Sequence, residues 1–276
     1  MAQGAAGGSS ERPVERGNKL RRAEPAASGR KVASVAKRKP PASPLLSGAT
    51  RGYPAGGGAS PVPLRTPMAK IEPYEKHADA YDDWYSRNRF AYESELEAIG
   101  RLLPKEGTGV EIGVGTGRFA AKFGIPFGVE PSMSMGKIAR KRGIAVIRGV
   151  AEALPFREGR FDFVLMVTTL CFFDDVEGAI REAYRVLRPA GSLVIGLIDR
   201  ESPLGKRYEE HKGEHLFYRD ATFRSAREVA AFLINAGFRT LSFCQTIFRD
   251  PNGMDVPDPV REGHGEGGFV VVRADK

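Results

Sequence analysis

Residues 110–118 read Val-Glu-Ile-Gly-Val-Gly-Thr-Gly-Arg: a short apolar run carries an acid and then breaks into glycines at alternate positions. Gly113, Gly115 and Gly117 let the backbone turn sharply and let a ligand approach it with no Cβ in the way. A helix-like stretch, Arg118–Phe123, follows directly. The segment therefore reads strand, loop, helix, and a loop of that kind at the carboxyl end of a strand is where open α/β sheets bind nucleotide-like ligands.

Two oxidoreductase patterns compete for this loop, and both fail. The dinucleotide fingerprint G-x-G-x-x-G needs a third glycine where Arg118 stands. A T-G-x-x-x-G-x-G pattern runs from Thr108 to Gly115, with a Y-x-x-x-K from Tyr208 to Lys212. That pattern wants an apolar strand before its first Thr-Gly. Here Leu-Pro-Lys-Glu-Gly precedes it, and Val110 and Ile112 would fall inside the loop.

Downstream landmarks favour a different ligand. A second short apolar run ends in an acid, Phe127-Gly128-Val129-Glu130, followed by Pro131-Ser132. A carboxylate at the end of a neighbouring strand can accept both hydroxyls of a ribose. Then come Ala151-Glu152-Ala153-Leu154-Pro155-Phe156, the apolar run 160–167, and 184–195, which reads Tyr-Arg-Val-Leu-Arg-Pro-Ala-Gly-Ser-Leu-Val-Ile. In order and spacing these five segments resemble the class I S-adenosylmethionine-dependent methyltransferases, in particular their small-molecule, UbiE-like branch. The resemblance covers roughly residues 74–273.

The resemblance implies a set of cofactor contacts. Glu111, Gly113, Gly115 and Gly117 match the loop holding the methionine end of S-adenosylmethionine. Glu130, with Pro131 and Ser132 after it, matches the ribose-binding acid, and Ala151 and Glu152 match the segment beside the adenine. Val167, Thr168 and Thr169 follow the fourth strand, where the family lines the sulfonium and the substrate. Many relatives carry Asp just before the Ala-Glu pair; this chain has Val150. The residue types suit the ligand. It has no pyrophosphate, and the loop has no phosphate-cradling Lys. Backbone N–H groups at a helix start suit a carboxylate, and a nearby acid such as Glu111 suits an ammonium.

Composition divides the chain. Residues 1–67 hold 10 Gly and 9 Pro, and only Tyr53 of the 25 aromatic residues. Twelve of the 42 Lys and Arg lie there against three of the 34 Asp and Glu, so residues 68–276 are close to neutral. Glycine and proline at that density are expected of disorder. Residues 1–67 read as a disordered basic tail: an upstream extension ahead of Met68, an interaction arm, or an organelle-targeting peptide. Residues 68–276 read as the methyltransferase domain, with no basic excess to argue for nucleic acid. Cys171 and Cys244 lie in apolar runs and read as buried and reduced, though Cys171 follows the fourth strand and could face the substrate. The longest apolar stretch, about 161–173, includes Asp162 and two threonines and is too short to span a bilayer.

Alternating strand and helix patterns predict a parallel sheet covered on both faces. The resemblance adds that the fold is a Rossmann-like, seven-stranded sheet whose last strand is antiparallel, with 268–272 as that strand. Residues 73–102 read as helical and aromatic-rich. Tyr81 and Tyr85 are i,i+4 neighbours on one face, either packing against the sheet or forming a lid with a ring near the sulfonium. Asp174-x-x-Glu177 and Ser225-x-x-Glu228 are at capping-box spacing. An insertion at 200–224 lies where relatives build a substrate lid. Within it His211 and His215 could share a helix face and bind a metal, but a third ligand is not evident and no metal is expected. Asp199, at the end of the fifth strand, and His264, before the last, are candidate catalytic groups, with a turn cap as the alternative for Asp199.

The expected activity is direct methyl transfer from S-adenosylmethionine to an N, O or S nucleophile of a small molecule. The alternative is a non-catalytic module that binds the cofactor or its demethylated product and regulates a partner. The substrate side is expected at Tyr81, Tyr85, Thr169 and Cys171. The expected setting is cytoplasmic, as monomer or homodimer, without nucleic-acid or membrane partners. Adenine methylation of nucleic acid is disfavoured, because Thr168-Thr-Leu-Cys-Phe172 replaces the Asn/Asp-Pro-Pro-Tyr of that class.

Overall fold

The strand patterns seen in sequence assemble into one mixed sheet. The computed structural model describes residues 68–276, and the expectations for residues 1–67 lie outside the described residues. Helices α1 (Met68–Lys76), α2 (Ala78–Arg87) and α3 (Arg89–Leu102) precede β1 (Gly109–Ile112). Next come α4 (Arg118–Phe123), β2 (Phe127–Val129), α5 (Met133–Lys141), β3 (Ala145–Ile147) and β4 (Phe161–Val167). The chain continues through α6 (Val176–Val186), β5 (Leu187–Ile198), α7 (Pro203–His211), α8 (Ala226–Asn235), β6 (Thr240–Thr246), β7 (Arg261–Glu262) and β8 (Phe269–Asp275).

The sheet order is β3-β2-β1-β4-β5-β8-β6-β7. β1 to β5 pair in parallel, and β8 runs antiparallel between β5 and β6. This is the Rossmann-like arrangement expected, with one addition: the two-residue β7 extends the edge beside β6 as an eighth strand. The order reverses between β1 and β4, which opens a crevice at the strands' carboxyl ends.

Period-two alternation sends successive side chains to opposite faces. Val164 and Met166 of β4, Leu193 and Ile195 of β5, and Val270 and Val272 of β8 pack beneath Ala179, Ile180 and Ala183 of α6 and Val229 and Leu233 of α8. Phe163, Leu165 and Val167 of β4, Val194 of β5, and Phe269 and Val271 of β8 face Ala98 and Ile99 of α3, Phe119 of α4 and Ala139 of α5. Both faces are buried, which is why these strands read as nearly continuous apolar runs.

Local expectations were met unevenly. The Ser225 capping box is present: Glu228 N–H donates to Ser225 Oγ at 3.3 Å, and Ser225 N–H donates to Glu228 Oε2 at 2.7 Å. At α6 the cap is Asp175 rather than Asp174, its Oδ1 accepting from Gly178 N–H at 2.8 Å. The Asp174 backbone is instead drawn to Glu152 Oε1 at 3.0 Å. The single helical region of 73–102 divides at His77 and Asn88, whose backbones leave the helical well. The fifth strand starts with an irregularity in which Phe161 pairs with Leu187 but Phe163 with Ser192. The insertion at 200–224 is not a loop throughout, since Ser202 caps α7 by accepting from Gly205 N–H at 2.9 Å. α7 ends at His211, so His211 and His215 do not share a helix face. Among the described residues no helix is long and apolar enough to cross a membrane.

Candidate active site

The crevice at the carboxyl ends of β1, β2, β3 and β4 encloses a cavity of about 510 Å³. That is within the ~300–1,000 Å³ of small-molecule sites. Its floor is the glycine loop. Gly113 and Val114 N–H both donate to the Val129 carbonyl, at 2.8 and 3.0 Å, which ties the loop to β2. All three glycines have left-handed backbones, with φ of +69°, +55° and +83°. Their surroundings differ. A Cβ on Gly113 would lie 2.1 Å from Thr169 Oγ1, and one on Gly117 would lie 2.4 Å from Ile144 Cδ1. Gly115 has nothing nearer than 3.5 Å and faces the cavity. Gly113 also lines the cavity, whereas Gly117 packs against α5 and Ile144 and lies outside the wall.

Glu130 closes the floor on the β2 side. Its Oε2 accepts from Gly115 N–H at 2.8 Å and its Oε1 from Ser132 N–H at 2.9 Å. Burial pushes its carboxyl up to about 7, opposed by those two backbone donors. Each oxygen retains a lone pair, so the group still accepts a ligand hydroxyl. Pro131, Ala151, Glu152, Val167, Thr168 and Thr169 line the cavity with it, and Ser132 stands behind Glu130 as the cap of α5. Thr168 has a φ of +48°, unusual for a β-branched residue. Strain of that kind concentrates at ligand sites. Glu111 lies behind the loop, outside the wall, with Oε2 unpartnered among the described residues. Burial drives its carboxyl well above the usual range against the Ala120 N–H.

The roof is built from distant segments. Lys70, Ile71 and Tyr74 of α1, Tyr81 of α2, and Phe172, Phe173 and Tyr218 overhang the strand ends. Tyr74 Oη donates to the Phe217 carbonyl at 3.0 Å, and Lys70 Nζ reaches Asp174 Oδ1 at 2.6 Å. Glu75 fastens α1 to the start of α5, accepting from Ser132 Oγ at 2.6 Å and Ser134 Oγ at 3.0 Å. Anions are favoured at a helix start; the Ser132 hydroxyl is the main cause of Glu75's lowered pKa. Asp82 of α2 accepts from Arg118 at 2.7 Å and Arg142 at 2.8 Å. Against the penalty of burial, the two guanidiniums hold its carboxyl well below the usual range.

The remaining sequence candidates are scattered. Tyr85 is buried behind Tyr81, their hydroxyls 2.9 Å apart, and is outside the main cavity. Cys171 faces a narrow crevice with Leu197 and Phe223, its thiol pushed up to about 12 by burial. Asp199 is a turn cap: Oδ1 accepts from Glu201 N–H at 3.1 Å and Ala226 N–H at 3.3 Å, and the cavity does not reach it. His264 packs on Phe243 of β6, ring centroids 5.0 Å apart, outside the cavity. No cluster of three or more His, Cys, Asp or Glu suited to a metal occurs among the described residues. Sequence reasoning passed over Met135 in the cavity wall and Glu95 of α3. The signal for Glu95 was present: it lies on the buried stripe of α3 with Ala91, Ser94, Ala98 and Ile99, where it is the one charged residue.

Residues 110–195 match the family described as "Methyltransferase domain". The chain is 49% identical over 203 residues to the uncharacterized protein MJ1123 of Methanocaldococcus jannaschii, covering 74% of this chain and 98% of that one. It is similar, at 50% identity and a TM-score of 0.73, to a Thermotoga maritima protein described as a SAM-dependent methyltransferase, possible histamine N-methyltransferase; the match covers 75% of this chain and 99% of that one. A phosphoethanolamine N-methyltransferase of Haemonchus contortus, in complex with S-adenosylhomocysteine, shares the fold alone. Its TM-score is 0.55 at 15% identity, with 76% of this chain and 59% of that one covered.

Proposed function

Because the chain belongs to the S-adenosylmethionine-dependent methyltransferases, we propose that it methylates an N, O or S nucleophile of a small molecule by direct displacement, with the donor held on the glycine-loop floor. The residues present fit S-adenosylmethionine. Gly113 and Gly115 leave space for its amino acid end, Glu130 has lone pairs for the ribose hydroxyls, and Ala151 and Glu152 would flank the adenine. Val150 supplies no carboxylate there, so adenine recognition rests on backbone groups and Glu152. Glu111 and Gly117 support the loop from behind.

When bound, the donor supplies an already activated methyl on a sulfonium. The chain's contribution is then alignment and exclusion of water, and alignment is worth up to ~7–11 kcal/mol. The roof carries the small-molecule reading. α1, α2 and the segment around Phe217 and Tyr218 converge over the strand ends, and residues 68–276 have 30 Lys and Arg against 31 Asp and Glu. A roofed cavity on a nearly neutral domain favours a compact acceptor over a nucleic acid.

The test is turnover. Purified protein with S-adenosylmethionine and a small-molecule extract is expected to yield S-adenosylhomocysteine and a methylated product by mass spectrometry. Tight donor binding with no product from any extract would overturn catalysis in favour of a regulatory module.

A further inference from the structure

Behind Tyr81 lies a second, smaller chamber of about 50 Å³. Tyr81, Thr168 and Tyr218 line both spaces and form the partition between them. The chamber is mostly aromatic. Trp84 and Tyr85 come from α2, Tyr208 from α7, and Phe217 from the segment that follows. Glu95 of α3 also faces it.

Glu95 is only 8% exposed, and among the described residues no hydrogen bond or ion pair reaches its carboxyl. No Lys or Arg lines the chamber. His215 is the other ionisable group besides the tyrosines. Its Nδ1 accepts from Phe217 and Tyr218 N–H, each at 3.2 Å, and burial pushes its pKa down, so it adds no positive charge near neutral pH. The Tyr81 and Tyr85 hydroxyls pair with each other at 2.9 Å.

A buried carboxylate without a partner is costly. Aromatic faces carry negative potential and attract cations. A chamber that joins the two, and that shares the Tyr81, Thr168 and Tyr218 wall with the donor cavity, lacks only the positive charge.

We propose that this chamber recognises the methyl acceptor and that the acceptor is an amine, its cationic nitrogen seated among the rings against Glu95 while the rest of the molecule reaches the partition. The assignment rests on the methyltransferase reading and specifies its substrate class. Glu95 is a specificity residue in this scheme. In the empty chamber burial pushes its carboxyl up to about 8, so at neutral pH it is mostly protonated. A cation entering the chamber stabilises the carboxylate and releases that proton to solvent.

The test is calorimetry with the full chain saturated with S-adenosylhomocysteine. The probes are primary amines from propylamine to phenethylamine, each paired with the alcohol of the same skeleton. Amines are expected to bind about tenfold or more tightly than their alcohols, and Glu95→Gln is expected to abolish that preference. Glu95→Gln should leave S-adenosylhomocysteine affinity unchanged and the melting temperature unchanged or higher. Equal binding of amines and alcohols, no amine binding at all, or an undiminished preference in Glu95→Gln overturns the assignment. If the variant does not fold, the wild-type comparison of amines with alcohols still decides. Failure of S-adenosylhomocysteine itself to bind would overturn the donor site instead, so the two readings fail separately.

Discussion

The floor and the roof of this site are built on different principles. On the floor, contacts are short in sequence or follow from adjacent parallel strands. Gly113 and Val114 bond to Val129, and Gly115 bonds to Glu130, 15 residues away. The roof joins residues far apart in the chain, as in the Tyr74 hydroxyl on the Phe217 carbonyl, 143 residues away, and Lys70 on Asp174, 104 residues away. Glu130, the floor's ligand-facing acid, is satisfied in place by backbone donors. The chamber behind the roof holds a carboxyl that has no hydrogen-bond or ionic partner among the described residues. A floor that completes itself suits a ligand shared by a whole family; an unsatisfied group suits the part of the site that differs from one acceptor to another.

The largest effect is expected from Gly113→Ala, which strikes the floor where it has least freedom. The added Cβ combines a left-handed φ with a 2.1 Å approach to Thr169. Left-handed strain and overpacking together predict a loss of about 2–5 kcal/mol in urea denaturation, with loss of donor binding. Near-normal stability would mean that the loop is softer than its geometry implies.

Glu130→Gln probes the floor's electrostatics. Both carboxylate oxygens accept a backbone N–H, so an amide nitrogen must face one of those donors. S-adenosylhomocysteine binding is expected to weaken by about 1.5–3 kcal/mol in calorimetry. Unchanged affinity would remove Glu130 from the ribose role.

Glu95→Gln separates the two regions by pH. Burial lifts the folded-state carboxyl to about 8, above the ordinary glutamate value of 4.5. A carboxyl with a raised pKa binds its proton more tightly when folded, so its contribution is fully present below about pH 4.5 and is lost as pH rises through about 8. Wild-type stability should therefore fall relative to Glu95→Gln between those limits, by about 1–3 kcal/mol at the upper end. Parallel stability curves for the two proteins would show that Glu95 is solvated or paired.

The smallest effect is expected at the roof's outer latch. Glu75 is exposed, and surface contacts of this kind contribute little to stability. Glu75→Ala should leave the melting temperature within a degree or so while speeding S-adenosylhomocysteine release in stopped-flow experiments. A large drop in melting temperature would show that α1 is part of the core rather than a cover.

Sequence carried more of the floor than of the roof. The alternate glycines, the acid at 130 and the Ser225 box were legible because each rests on a local rule: the sign of φ, the end of a strand, the first turn of a helix. Even there the register slipped by one at Asp175, because Glu152 claims the Asp174 N–H from 22 residues away. Asp199 and Cys171 looked well placed by position in the chain. The fold spends Asp199 on the start of α8 and turns Cys171 into a separate crevice. Glu95 went unread because an acid on a helix is ordinarily a solvated one.

The chain's order of apolar runs, acids and glycines by itself determined an α/β sheet with a ligand loop at the end of its first strand, since backbone sterics and period-two burial act over a few residues. Only the tertiary structure decided which side chains share a cavity, which carboxyl is left without a partner, and what roofs the strand ends. Those outcomes depend on segments brought together across a hundred residues, and no local pattern encodes a contact at that range.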